Sequence, residues 1–192
     1  MRKITHLYKL ILFLDIDGVL NSDSFQRTSN TWPTAEEMRQ ARANRPYQIP
    51  FLMRLLSGEN VTNLKNLMDQ FPDLLIVVSS SWVCMMDIEL IRELFSYLFI
   101  KPERIIGITP RKMTANREGE IIRWVEEYDQ SLSNHYLILD DLDLSFISND
   151  KGKRSQITKH LSKYFLKTDS ELGFTEENLV LAKTILENQK AG

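Results

Sequence analysis

Leu10-Ile-Leu-Phe-Leu-Asp15-Ile-Asp17-Gly-Val-Leu-Asn21 is the stretch whose reading decides the fold. Its first five residues are apolar without alternation, the pattern of a strand buried on both faces of a parallel sheet. The run stops at two carboxylates one residue apart. Gly18 follows, a residue that permits unusual backbone dihedrals and a close approach of other groups. Alone, Asp-x-Asp-Gly is most simply an acidic turn after a strand, so its meaning depends on the rest of the chain.

Working outward, the same arrangement recurs twice. Leu74 to Val78 is an apolar run that enters Ser79-Ser-Ser-Trp82, and Tyr136 to Leu139 is another that enters Asp140-Asp141. Between them the apolar period changes to that of helices. Val61, Leu64, Leu67 and Met68 share one helical face, with Asn60 as the expected cap. After Asp87 the inner positions are Ile88, Ile91, Leu94, Phe95 and Leu98; from Asn116 they are Ile121, Ile122, Val125 and Tyr128. Ile105 to Ile108 reads as a short strand. The last third gives a helix through Ile157, Leu161 and Tyr164, a strand at 165–167, and a final helix capped by Thr175. Strands that alternate with helices predict an α/β fold, a central parallel sheet with helices on both faces. In such sheets ligands bind beyond the carboxyl ends of the strands. The clusters at Asp15, Ser79 and Asp140 each begin where a strand stops, so three strands deliver their polar residues to one rim.

The segment 22–58 interrupts this order. It is polar, contains Pro33, Pro46 and Pro50, and offers a capping box from Thr34 to Glu37 ahead of a short helix. It reads as an insertion within a single domain spanning 1–192.

Composition narrows the class. The 43% hydrophobic content is enough for a buried core, and 24 Lys and Arg against 26 Asp and Glu give a formal net charge of −2, so no overall field draws the chain to nucleic acid or to an anionic membrane. One cysteine, Cys84, excludes an internal disulfide framework and suits a reducing, cytoplasmic compartment. Met1-Arg-Lys3 and the apolar Leu10–Leu14 do not read as a signal peptide, because the run is short and ends at Asp15. No segment approaches the ~18 apolar residues of a membrane span.

Asp15, Asp17, Asp140 and Asp141 on one rim would repel one another and hold protons unless a cation lay among them. Oxygen ligands without a His or Cys cluster describe magnesium better than zinc. His6, His135 and His160 show no metal spacing and read as surface or partly buried residues. Cys84 is followed six positions later by Leu90, where a cysteine-based phosphate loop needs Arg. Trp82, directly after the serine run, reads as a packing residue before one that rims a pocket.

Taken together, Leu12-Phe-Leu-Asp15-Ile-Asp17-Gly-Val-Leu20, Ile76-Val-Val-Ser79 and Leu137-Ile-Leu-Asp140-Asp141 resemble, in order and strand context, the first, second and fourth motifs of the haloacid dehalogenase (HAD)-like hydrolases, the aspartate-nucleophile phosphatases. Leu20-Asn21 with Ser79-Ser-Ser-Trp82 is similar to the branch found as a domain in bacterial RNA-repair ("Swiss Army knife") proteins. The resemblance covers about residues 10 to 145. It implies a HAD-like Rossmannoid fold with a small or absent cap. It also implies a phosphoric monoester hydrolase in which Asp15 is phosphorylated and Asp17 serves as acid and then base. The implied magnesium ligands are Asp15, the backbone carbonyl of Asp17 and Asp141, with Asp140 as a further ligand or a supporting acid. Ser79, or Ser80 if the serine run is shifted by one, would bind a phosphate oxygen. Arg117 is the candidate cation for the phosphate, with Lys112 and Arg111 as alternatives.

A site without a large lid admits a phosphate on a bulky chain, so the expected partner is a phosphorylated macromolecule. A phosphoprotein, phosphotyrosine among its forms, is favoured over a polynucleotide 3′-phosphate, since Arg39, Arg42, Arg45 and Arg54 sit beside Glu36, Glu37 and Glu59. The family branch supports the nucleic-acid alternative. A catalytically silent binding module is the third reading, against which both Asp15 and Asp17 are present. Lys151-Gly-Lys-Arg154 reads as a solvated loop, and nothing in the chain identifies a protein partner.

Overall fold

In the computed structural model, residues 9–110, 116–146 and 152–191 are described. Five parallel strands form one sheet in the order β3-β2-β1-β4-β5. They are β1 (Leu10–Leu14), β2 (Leu74–Val78), β3 (Ile105–Ile108), β4 (His135–Asp140) and β5 (Phe165–Lys167). The unbroken apolar run of β1 is explained by its central place: it pairs with β2 on one side and β4 on the other, and all five of its residues are buried. Leu10, Leu12 and Leu14 point into one core and Ile11 and Phe13 into a second across the sheet. The strand therefore has no wet face, as its lack of alternation requires.

Helices cover both faces, as expected. The first core is closed by α4 (Gly58–Gln70), α5 (Ile88–Tyr97) and α8 (Glu176–Ala191), through Leu64, Leu67, Ile91, Leu94 and Leu186. The second is closed by α6 (Arg117–Tyr128) and α7 (Lys153–Leu161), through Ile121, Val125, Ile157 and Leu161. The chain runs outward from β1 to β3, then returns to the far side of β1 for β4 and β5. That reversal leaves a crevice between β1 and β4 at the carboxyl edge, where α/β sheets hold their ligands.

The segment between β1 and α4 carries three short helices, α1 (Asp23–Thr28), α2 (Ala35–Ala43) and α3 (Ile49–Met53). The capping box at the head of α2 forms with both of its hydrogen bonds. Arg54 ties the segment together: Nε donates to Thr31 O at 2.8 Å, while Nη1 and Nη2 hold the two carboxylate oxygens of Glu37 at 2.7 and 3.1 Å. Behind the sheet, Arg104 donates to the carbonyls of Met68, Phe71 and Leu74 at 2.6–2.9 Å, satisfying the end of α4 and the chain that leads into β2.

Thr175 caps α8 as the sequence predicts, and Asp87 and Asn116, where the helical periods begin, cap α5 and α6. Two expectations fail. Ser57, not Asn60, caps α4; Asn60 is buried within the helix and spends its side-chain amide on Leu172 O at 3.1 Å. A buried amide needs a partner wherever it finds one, and here a remote carbonyl outbids the helix end. Tyr128 is 62% exposed rather than part of the inner face of α6. Trp124 takes that place, packed edge-on against Phe13 with ring centroids 5.3 Å apart. Among the described residues no helix is long and apolar enough to cross a membrane.

Candidate active site

The sheet register builds the site. Leu14 is paired with Val78 and Leu139, and the ladder continues one step past the strands: Asp15 N donates to Leu139 O at 2.9 Å and Ser79 N donates to Leu14 O at 2.8 Å. Asp15 is thereby set beside Ser79 and Asp140 by backbone hydrogen bonds, before any side-chain interaction is counted. Asp15 is 3% exposed and Asp140 1%. Oxygens of Asp15, Asp140 and Asp141 all lie within 4.8 Å of one another.

Among the described residues, one cation stands against these acids. Arg117, the first residue of α6, has its side chain 9% exposed; Nη2 lies 3.2 Å from Asp15 Oδ2 and Nε lies 3.5 Å from Asp140 Oδ2. Asn116 fixes the head of that helix by accepting the amide of Gly119 at 2.9 Å. The alternatives Arg111 and Lys112 lie outside the described residues, as do His6 and Lys151.

A single guanidinium is not enough. Burial pushes the Asp15 carboxyl up to about 7; Arg117 opposes the shift and Asp140 adds to it. Asp140 rises to about 6, again through burial first, with Arg117 and the amide of Leu142 opposing and Asp141 adding. Burial raises Asp141 as well. Asp140 Oδ1 accepts from Leu142 N at 3.0 Å, but the buried Oδ2 has no hydrogen bond, Arg117 being at ion-pair range only. An unsatisfied carboxylate oxygen among three acids, with no nitrogen or sulfur donor in the group, is the donor set of a hard divalent cation.

Gly18 makes the cluster possible. Its φ is +70°, and a Cβ built there would sit 2.4–2.6 Å from Asp141 Cγ, Oδ2 and Cβ. Only glycine accepts both that dihedral and that approach. The turn is held from the residue after β5, Thr168, whose Oγ1 donates to Gly18 O at 2.9 Å.

Asp17 stands apart from the other acids. Its carboxylate is exposed and accepts from Ser81 Oγ at 2.7 Å, Trp82 Nε1 at 2.9 Å and Asn21 Nδ2 at 3.1 Å. Asn21 Oδ1 in turn accepts from Gly18 N at 3.1 Å. The expectation that Trp82 chiefly packs is thus incomplete, since it is buried and also holds Asp17. A buried indole N–H needs an acceptor, and that was the available signal. Ser79 Oγ lies 3.4 Å from Thr109 Oγ1 and 3.5 Å from Arg117 Nη1. Ser80 accepts from Trp82 N at 3.3 Å and hydrogen-bonds Asp15. Both serines therefore border Asp15.

The family model described as the HAD domain in Swiss Army Knife RNA repair proteins matches residues 11–179. No curated protein matches the chain. Two solved structures are similar. One is a haloacid dehalogenase-like family hydrolase from Streptococcus pneumoniae, 14% identical over 96% of this chain and 98% of that one, with a TM-score of 0.42. The other is the HAD domain of an effector protein from Legionella pneumophila, an inactive mutant, 17% identical over 95% of this chain and 98% of that one, with a TM-score of 0.45.

Two outcomes follow from the geometry. Gly18→Ala should fold yet displace Asp141, lowering affinity for a divalent cation in titration calorimetry by about tenfold or more. In the metal-free protein, raised carboxyl pKa values mean that folding binds protons. Stability from that source is full below the ordinary value of 3.8 and is lost as pH rises through about 6 for Asp140 and about 7 for Asp15. Urea unfolding should therefore show about 2 kcal/mol less stability at about pH 8 than at about pH 5.5, and a divalent cation should remove the difference.

Proposed function

The chain belongs to the family of HAD domains in Swiss Army Knife RNA repair proteins and so to the HAD-like hydrolases, and on that premise we propose that it is a magnesium-dependent phosphomonoesterase with Asp15 as its nucleophile. The observation that carries the reading is the place of Asp15: the central strand's tip, between the Arg117 guanidinium at 3.2 Å and two further acids within 4.8 Å. A carboxylate so placed has a cation to hold a phosphate and company that calls for a metal.

Asp15 attacks phosphorus, the bond to the leaving oxygen breaks with its electron pair, and Asp17 delivers a proton to that oxygen. The aspartyl-phosphate is then opened by water, whose proton passes to Asp17, giving inorganic phosphate and free Asp15. Asp17 suits this work because it lies outside the acidic cluster, two residues from the nucleophile, and is oriented by Ser81, Trp82 and Asn21. Arg117 offers two guanidinium nitrogens to phosphate oxygens, and Ser79 or Ser80 offers a hydroxyl. Asp15, Asp140 and Asp141, with the backbone carbonyl of Asp17, would hold magnesium, which screens the charge between an anionic nucleophile and an anionic phosphate.

The substrate side of this reading is a phosphorylated macromolecule, a phosphoprotein before a polynucleotide. The near-neutral chain favours the first; the family's description as RNA repair favours a 3′-phosphorylated end as the second. A silent binding module would bind magnesium without turnover. Phosphate release from para-nitrophenyl phosphate should require magnesium and fall by at least about 10³-fold in Asp15→Asn, with circular dichroism unchanged, while Asp17→Asn should cost about 10²–10⁴-fold. Turnover by Asp15→Asn at the parent rate would overturn the mechanism.

A further inference from the structure

Next to Asp17, on the side away from the acidic cluster, a cleft of about 300 Å³ opens between the 81–86 turn and helices α2 and α3. We propose that this cleft receives the leaving group and that the group is aromatic: the phenol ring of a phosphotyrosine side chain in an acidic peptide. The inference rests on the phosphatase reading above and narrows it to a substrate class.

Connectivity comes first. The group that protonates the leaving oxygen must touch it, and Asp17 is itself part of the cleft wall. Whatever is bonded to that oxygen therefore starts at Asp17 and continues into the cleft. What it meets there is apolar at once. Trp82 spends its N–H on Asp17, and its ring lines the cleft with Met85, Trp32, Met38 and Tyr47. Rings and thioethers make favourable contacts with an aromatic guest, and the flexible methionines adjust to its outline.

The polar groups of the wall are largely committed. Asn21 and Ser81 are bound to Asp17 and Gly18, and the Tyr47 hydroxyl is directed at Met85 Sδ at 3.6 Å. A 3′-phosphorylated nucleotide would bring ribose hydroxyls and a phosphodiester against this wall and find few partners. A phenol ring asks for none. Its oxygen is also the better leaving group, since the tyrosine hydroxyl has an ordinary pKa near 10.

Arg42 supplies the second half of the assignment. It is exposed on the lining of the cleft and, among the described residues, has no ion pair. The other arginines of the segment are engaged: Arg27 with Glu171, Arg54 with Glu37, Arg39 with Glu36, and Arg45 over the Tyr47 ring. A free guanidinium at the edge of an aromatic cleft fits a carboxylate close to the phosphotyrosine.

The test compares kcat/KM, with magnesium, for a phosphotyrosine peptide flanked by glutamates, the same peptide flanked by glutamines, a phosphoserine peptide and a 3′-phosphorylated oligonucleotide. Para-nitrophenyl phosphate and glycerol 2-phosphate serve as small monoesters. The expected result is a preference for tyrosine over serine and over the oligonucleotide of about 100-fold or more. That preference should fall at least about tenfold in Trp32→Ala and in the near-isosteric Met85→Gln, chiefly through KM. Arg42→Gln should remove the advantage of the glutamate-flanked peptide. Turnover that is silenced by Asp15→Asn but shows no tyrosine preference, or a preference untouched in Met85→Gln, overturns the cleft assignment alone. Absence of turnover with every substrate overturns the phosphatase reading beneath it.

Discussion

Three carboxylates crowded at the carboxyl edge of a parallel sheet are the constraint on which the rest of this structure turns. At 4.8 Å or less, two such charges repel by about 3 kcal/mol at an effective dielectric constant of about 20. They cannot separate, because the backbone holds them. Asp15 and Ser79 are tied into the ladder through Leu139 O and Leu14 O, and Asp140 ends a strand whose neighbour is anchored to it through Thr168 N. Moving the backbone of Asp15 away from that of Asp140 would mean breaking the central sheet. Arg117 offsets part of the repulsion, and burial, with the remaining repulsion adding to it, raises the proton affinity of Asp15 and Asp140. A divalent cation is the other way to neutralise it. The same crowding of carboxylates therefore suits the site to a hard cation.

The scaffold around this edge was legible in the chain because its signals are local and strong. The apolar runs ending at Asp15, Ser79 and Asp140 carry their own evidence of double-sided burial, and a cap such as Thr175 announces a helix head. Arg117 was reachable because it opens a helix whose start could be read. What could not be read depended on partners far along the sequence. Asn60 resembles a cap until Leu172 is folded against it, and nothing near Thr168 suggests that it holds the Gly18 turn. Trp82 lay between the two cases. Its place after the serine run marked it as close to the site, but only the folded chain shows the indole aimed at Asp17.

The helices between β1 and α4 give the site its second character. The acidic edge is polar and buried, whereas the wall beyond Asp17 is aromatic and open, and Asp17 belongs to both. The Arg54–Glu37 pair holds α2 against the chain that leads to α4, so the aromatic wall has a defined position relative to the strand tips. In the proposed reading, chemistry and recognition are contributed by different parts of the chain and meet at Asp17.

The central claim is that one ion gathers the acids of separate strand tips. Anomalous diffraction from crystals grown with manganese in place of magnesium tests it directly. The account predicts one peak at the β1–β4 edge, about 2.0–2.3 Å from carboxylate oxygens of Asp15 and Asp141, with Asp140 bound to the ion or directly beside it. No peak there, or an ion held elsewhere while the three acids keep their present places, would contradict it.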